Sequence, residues 1–219
     1  MRMLDLFCGR FGWGKAFAER GWEVIGIDIA EPSRVPMGCE FVKHDILKLE
    51  YQSDGFICTN DGRNKPLLHR FDFICASSPC EQFSLHGMKH FHPNAPYPEI
   101  GIMLFNHTRK LCENSNLPYV MENVRAAQQF VGQAENKCGP FYLWGPGVPP
   151  LMPQGITKGM TQRINRKTGK RDCSAYGRLG WSNSPTRRMY RDIAATIPPE
   201  LANCVADYAT RLLENRRCA

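Results

Sequence analysis

Cys80 sits in the run Ser77-Ser78-Pro79-Cys80-Glu81-Gln82-Phe83-Ser84, directly behind a proline and just past the apolar stretch Phe71-Asp72-Phe73-Ile74-Cys75-Ala76. A thiol at such a strand exit faces whatever cleft opens there, and its thiolate is a nucleophile suited to covalent catalysis. Two further clusters carry matching chemistry. Asp5-Leu6-Phe7-Cys8-Gly9, followed by Gly12 and Gly14, reads as a strand entering a glycine turn whose backbone N–H groups can approach a nucleotide-like ligand closely. Glu122, in Met121-Glu122-Asn123-Val124, puts a carboxyl group at the end of another apolar run. Asp28 closes Glu23-Val24-Ile25-Gly26-Ile27-Asp28, where folds of this kind place an acid for ribose hydroxyls, and Asp45 ends a weaker run at a position suited to an adenine amino group.

The elements that must hold these residues follow from the apolar pattern. Strands are expected at Met3–Cys8, Glu23–Asp28, Phe41–His44, Phe71–Ala76, Tyr119–Met121 and Phe141–Trp144. A short helix is expected over Lys15–Arg20, a longer one over Glu99–Glu113 with Ile102, Met103, Leu104, Phe105 and Leu111, and a last one behind Pro198-Pro199 running to about Glu214. Strands alternating with helices imply crossovers and a parallel sheet, so the fold class is α/β, with ligands gathering beyond the carboxyl ends of the strands. Each candidate residue named above sits at such an end.

Composition narrows the function classes. A chain of 219 residues, 42% hydrophobic, can bury one sizeable core. No stretch approaches the roughly 20 apolar residues of a membrane span, and a soluble, cytoplasmic monomer is expected. The 10 cysteines are scattered, with no C-x-x-C pair, and read as reduced thiols. His86, His90 and His92 lack coupled cysteine or carboxylate spacing, so no metal is expected. The net charge of +7 is local: Pro153 to Arg191 contains ten Lys or Arg against the single acid Asp172, and the remainder is net −2. Such concentration suits phosphate binding, in which each neutralised phosphate releases counterions.

In order and wording, these motifs resemble the signature of the DNA cytosine-5 methyltransferases. The first motif of that family, Asp-Leu-Phe-Cys-Gly-x-Gly-Gly, is matched at Asp5, Leu6, Phe7, Cys8, Gly9 and Gly12; the chain departs at Phe11, where the family usually has glycine, and just beyond at Gly14, where serine is common. The Pro79-Cys80 and Glu122-Asn123-Val124 motifs match as well. Glu-Asn-Val followed by Phe141-Tyr142-Leu143-Trp144-Gly145 is similar to the compact, phage-type members. The family's Gln-x-Arg-x-Arg element has a loose counterpart in Gln162-Arg163-Ile164-Asn165-Arg166, and its Gly-Asn-Ala-Val-Pro-Pro becomes Ala194-Ala195-Thr196-Ile197-Pro198-Pro199.

The resemblance implies a Rossmann-like, S-adenosylmethionine-dependent methyltransferase fold with a small basic target-recognition lobe. The catalytic domain would comprise 1–139 and 192–219, with a recognition region at 140–191. S-adenosylmethionine would contact Asp5, Phe7, Cys8, Gly9, Gly12, Asp28, Ile29, Asp45, Ile46 and Pro79. Cys80 would add to C6 of a cytosine extruded from duplex DNA, Glu122 would protonate or hydrogen-bond N3, and Arg125 would pair with Glu122 or a phosphate. Gln82, Ser84, Lys89, Arg163, Arg166, Lys167, Lys170 and Arg171 would contact nucleic acid, and the loop 86–94 would close over the extruded base. Phe11, in a turn built for close backbone approach, is expected to point away from the ligand or reshape its pocket. With 72 residues between Val124 and Ile197, a short or relaxed recognition sequence is expected. The charge does not separate DNA from RNA, so RNA cytosine methylation stays open, as does a catalytically silent nucleic-acid-binding protein of the same fold.

Overall fold

The computed structural model describes residues 1–52, 55–60, 63–66, 70–88, 90, 92–156 and 196–217. Seven strands form the main sheet: β1 Arg2–Leu6, β2 Glu23–Asp28, β3 Cys39–Lys43, β7 Phe73–Ser77, β8 Tyr119–Asn123, β9 Asn136–Cys138 and β10 Phe141–Trp144. Their order is β3-β2-β1-β7-β8-β10-β9. The first five are parallel, while β10 runs antiparallel to both β8 and β9. The chain leaves β1 towards β2 and β3, then returns to the other flank of β1 with β7 and β8. The topological switch point therefore lies between β1 and β7, where ligands of open α/β sheets bind.

Both faces of this sheet are covered, which explains why β1 and β7 are almost continuously buried. Alternation along the strands sorts the core into two layers. Leu4, Leu6, Ile25, Ile27, Ile74 and Ala76 face the helix α3, Glu99–Ser115, through Phe105 and Leu111. Met3, Val24, Phe73, Cys75 and Val120 face the other layer. That layer holds α1, Gly14–Ala18, and the terminal helix α5, Pro199–Arg217, which follows the short α4, Gln128–Val131, in the chain; Leu201, Ala202, Val205, Ala206 and Ala209 of α5 form one buried stripe. Asn116, left-handed at φ 54°, ends α3. Trp22 joins the α5 layer, its Nε1 donating to Thr210 Oγ1 at 3.1 Å.

One region goes beyond the elements expected from the sequence. Leu49–Gln52 (β4), Gly55–Asn60 (β5) and Arg63–Pro66 (β6) form a separate antiparallel sheet inserted between β3 and β7. Phe56 anchors it, packing edge-on to Tyr51 and Phe71 at ring distances of 5.2 and 5.8 Å. Phe141–Trp144, expected as a strand, lies in the main sheet between β8 and β9, with Phe141 and Leu143 buried on one face and Trp144 on the other. The short β9 escapes a reading based on apolar runs because Asn136-Lys137-Cys138 carries a single apolar residue; pairing with β10 makes it a strand. Among the described residues, no helix is long and apolar enough to cross a membrane.

Candidate active site

The carboxyl ends of β1 and β7 open onto a cleft of about 460 Å³. Phe7, Cys8, Gly9 and Gly12 from the first turn line it, together with Ser77 from the end of β7. The turn is wound by left-handed residues at Phe7 (φ 57°), Gly9 (φ 48°) and Phe11 (φ 58°). Its N–H groups divide into two sets. Cys8 donates to the Ile27 carbonyl at 3.2 Å, Gly9 to Asp28 Oδ2 at 3.0 Å, Phe11 to the Cys8 carbonyl at 2.6 Å and Gly14 to Asp5 Oδ2 at 3.0 Å. The N–H groups of Arg10, Gly12 and Trp13 donate to none of the described residues, and all three residues line the cleft.

Phe11 points away from the ligand side. Its ring is fully buried beneath the turn, against β2, in space that only a glycine leaves open. A Cβ on Gly26 would stand 2.6 Å from Phe11 Cζ and 2.8 Å from Cys8 Sγ. Gly12 has its own steric role. A Cβ there would come within 3.1 Å of Ile197, so the segment leading into α5 seats directly on the turn, and Thr196 and Ile197 form a wall of the cleft.

The acids divide by strand face and loop position. Asp5 lies on the α1 side of β1, 1% exposed, where loss of solvent pushes its carboxyl up to about 8 despite the Gly14 N–H. Through Oδ2 it braces the turn from below instead of lining the cleft, while its Oδ1 has no partner among the described residues. Asp28 is engaged twice, accepting from Gly9 N and from Ala30 N at 3.0 Å each. The carboxylate that lines the cleft is Glu31, with Ala30, Pro32 and Ser33 beside it; sequence reasoning missed this loop because it has no periodicity. Ile29, at the end of β2, is 67% exposed. Asp45 accepts from Leu47 N at 3.0 Å and caps a single 3-10 turn. Ile46 is buried, its carbonyl accepting from His107 Nε2 at 2.9 Å. Asp5, Asp28, Ile29, Asp45, Ile46 and Pro79 are not among the lining residues.

On the other flank of the switch point, β7 and β8 pair with Ser77 opposite Glu122. Strand spacing of about 4.8 Å therefore brings Glu122 beside the exit that carries Pro79 and Cys80. Glu122 is 9% exposed and Asn123 fully buried. Asn123 Nδ2 donates to both the carbonyl and the Oγ of Ser78, at 3.0 and 3.1 Å, and its Oδ1 accepts from Val124 N at 2.9 Å. On the cleft side, Trp13 Nε1 donates to Ser77 Oγ at 2.9 Å. The two serines before Pro79 thus tie the glycine turn to the end of β8. Pro79 is exposed, and Cys80 is half-buried at the position directly before the helix α2, Glu81–Gly87. Arg125 is exposed in a 3-10 turn directly after β8.

Seven cysteine side chains are described, all free thiols. Burial pushes Cys8, Cys75 and Cys112 far up, Cys39 up to about 11, and raises Cys138 and Cys204 as well, which makes all six poor nucleophiles at neutral pH.

Several expected nucleic-acid contacts are put to structural use. Gln82 Oε1 accepts from Gly101 N at 2.7 Å, tying α2 to the first turn of α3. Ser84 N donates to the Cys80 carbonyl at 2.8 Å, and its side chain is half-buried. His86 bonds the Pro96 carbonyl at 2.7 Å and meets the Phe130 ring edge-on at 5.1 Å. Lys89, Arg163, Arg166, Lys167, Lys170 and Arg171 lie outside the described residues.

These features define a Rossmann-like α/β protein with a ligand cleft at its switch point and a thiol and a carboxyl group on the adjoining strand ends. No family model and no curated protein matches the sequence. Among solved structures the chain is similar to one described as a DNA modification methyltransferase encoded within an E. coli prophage, at 17% identity and a TM-score of 0.41. That match covers 59% of this chain and 33% of the other. A glycopeptide N-methyltransferase, MtfA, matches at 16% identity and a TM-score of 0.31, covering 56% and 46%. A structure described as an NADH-flavin reductase from Streptococcus pneumoniae matches at 15% identity and 0.31, covering 93% and 63%. The chain thus spans less than two thirds of the length of each, and the fold class rests on the strand order and register given above.

Proposed function

We propose that this protein is an S-adenosylmethionine-dependent methyltransferase that modifies C5 of cytosine in DNA, with Cys80 as the nucleophile. The observation that carries this reading is the register of β7 and β8, which sets Glu122 beside the Pro79-Cys80 exit while Ser77, three residues before Cys80, lines the ligand cleft.

The cleft fits the donor. Its volume of about 460 Å³ lies within the usual range for small-molecule sites, about 300 to 1,000 Å³. The N–H groups of Arg10, Gly12 and Trp13 suit a carboxylate, and Glu31 suits hydroxyl groups. When bound there, S-adenosylmethionine supplies an activated methyl group.

This chain's own residues then do the rest. Cytosine C5 is a weak nucleophile because its electrons are committed to the aromatic ring. Addition of the Cys80 thiolate to C6 breaks that aromaticity and makes C5 enamine-like, dividing one hard step into easier ones. Negative charge spreading to N3 requires a proton or a strong hydrogen bond, which Glu122 supplies. Loss of the C5 proton, which water can accept, later expels Cys80 and restores the ring. Asn123 and Ser78 hold the two reacting groups at a fixed separation, the kind of orientation that lowers barriers by removing entropy in advance.

The test is product analysis. Duplex DNA and an RNA of the same sequence are incubated with isotopically labelled S-adenosylmethionine and digested to nucleosides. The reading expects label in 5-methylcytosine from DNA. Label on another base, or only in RNA, contradicts it.

A further inference from the structure

A second cleft, of about 550 Å³, opens beside the first and shares Arg10 and Ser33 with it. Arg10, Lys15, Glu19, Ser33, Arg34 and Met37 are among its walls. Three cations thus face a single acid, although the chain outside Pro153–Arg191 is net −2. Lys15 Nζ lies 3.9 Å from Glu19 Oε1, an exposed i,i+4 contact of little energetic weight. Among the described residues Arg10 and Arg34 enter no ion pair, and both are exposed. Arg10 follows β1 and Arg34 follows β2, so both stand on the carboxyl edge of the sheet, the edge that also carries Cys80. The cluster is open and drawn from three separate segments, a layout suited to an extended chain of phosphates more than to one enclosed ion. Ile29, Val35 and Met37, exposed at 67%, 39% and 97%, add apolar surface beside it.

We infer that Arg10, Lys15 and Arg34 form a second nucleic-acid contact, a phosphodiester-binding groove on the β2–β3 side of the ligand cleft. This inference rests on the proposed action on nucleic acid. It assigns the described part of the chain its own share of backbone binding, apart from the basic tract at 153–191. Phosphate contacts of this kind position the duplex without reading its sequence.

The experiment measures equilibrium binding of the full chain to a fluorescent duplex across a range of salt concentrations. Lys15→Ala/Arg34→Ala is compared with wild type and with a control pair on other surfaces, Lys110→Ala/Lys137→Ala. Each phosphate contact contributes about 0.9 to the slope of log K against log salt, so the first pair should lower the slope by about 1.8 and the control should leave it unchanged. Calorimetry with inorganic phosphate forms the second arm and should show no tight site. An unchanged slope with duplex binding intact overturns the inference, as does an equal drop in the control. A phosphate site that Lys15→Ala/Arg34→Ala abolishes without changing the slope would assign the groove to a small anion instead. Failure of the wild-type chain to bind duplex at all defeats the functional reading, and this inference with it.

Discussion

Asn123 holds Ser78 by two hydrogen bonds, to its carbonyl and to its hydroxyl, while its own amide oxygen takes the N–H of Val124. The end of β8 is thereby fastened to the peptide just before Pro79-Cys80. Asn123→Ala removes all three bonds and strands buried polar groups, so a loss of about 2–4 kcal/mol is expected in urea denaturation. Ser78→Ala removes only the hydroxyl bond and should cost about 1 kcal/mol. The two effects should fall short of additive in the double variant, because one contact is shared.

Asp5 predicts a pH dependence. Its carboxyl is pushed up to about 8 in the folded chain, chiefly by burial, against an ordinary value of 3.8. Between those values the folded state binds more protons than the unfolded state. The group's contribution is therefore fully present below about 4 and is lost as pH rises through 8. Its slope is at most about 1.4 kcal/mol per pH unit. Melting temperatures of wild type should fall from pH 5 to pH 8 relative to Asp5→Asn, which lacks the titrating group. Parallel curves for the two proteins would refute the assignment.

Gly26 leaves the space that Phe11 fills. Gly26→Ala should push the Phe11 ring and Cys8 out of place at a cost of about 1–3 kcal/mol, an overpacking effect, and should weaken donor binding through the displaced turn. Calorimetry and denaturation on one preparation check both.

Glu31, and not only Asp28, should govern affinity for the donor. Glu31→Gln removes the carboxylate that lines the cleft, and a rise in Kd of about tenfold is expected, equivalent to about 1.4 kcal/mol, with no change in melting temperature. Asp28→Asn should raise Kd and also lower the melting temperature, since Asp28 holds Gly9 and Ala30.

The parallel strands were legible because burial on both faces gives them continuous apolar runs, as in Phe73–Ser77 and Tyr119–Asn123. The glycine turn, Cys80 and Glu122 were legible because they stand at the ends of those runs. Glu31 and Ser33 were not, because a loop is placed by its anchors, here Asp28 on Ala30 N, and not by any period of its own. The β4–β6 sheet was missed although Asp54-Gly55 and Asp61-Gly62 are hairpin-type pairs, since the strands between them are short and mixed in polarity. Phe11 cannot be placed from the motif alone. Its type leaves two outcomes open, a ring turned away or a reshaped pocket, and Gly26, fifteen residues on, provides the room that takes the ring out of the cleft.

The central claim is that Cys80 attacks cytosine with Glu122 beside it. The most direct measurement is intact-mass analysis after incubation with S-adenosylmethionine and duplex DNA containing 5-fluorocytosine, since fluorine blocks loss of the C5 substituent and traps the adduct. Wild type should form a covalent protein–DNA species carrying one added methyl group, Glu122→Gln should form it more slowly, and Cys80→Ser should form none. Labelled 5-methylcytosine product without any trapped adduct, or an adduct that persists in Cys80→Ser, would contradict the account.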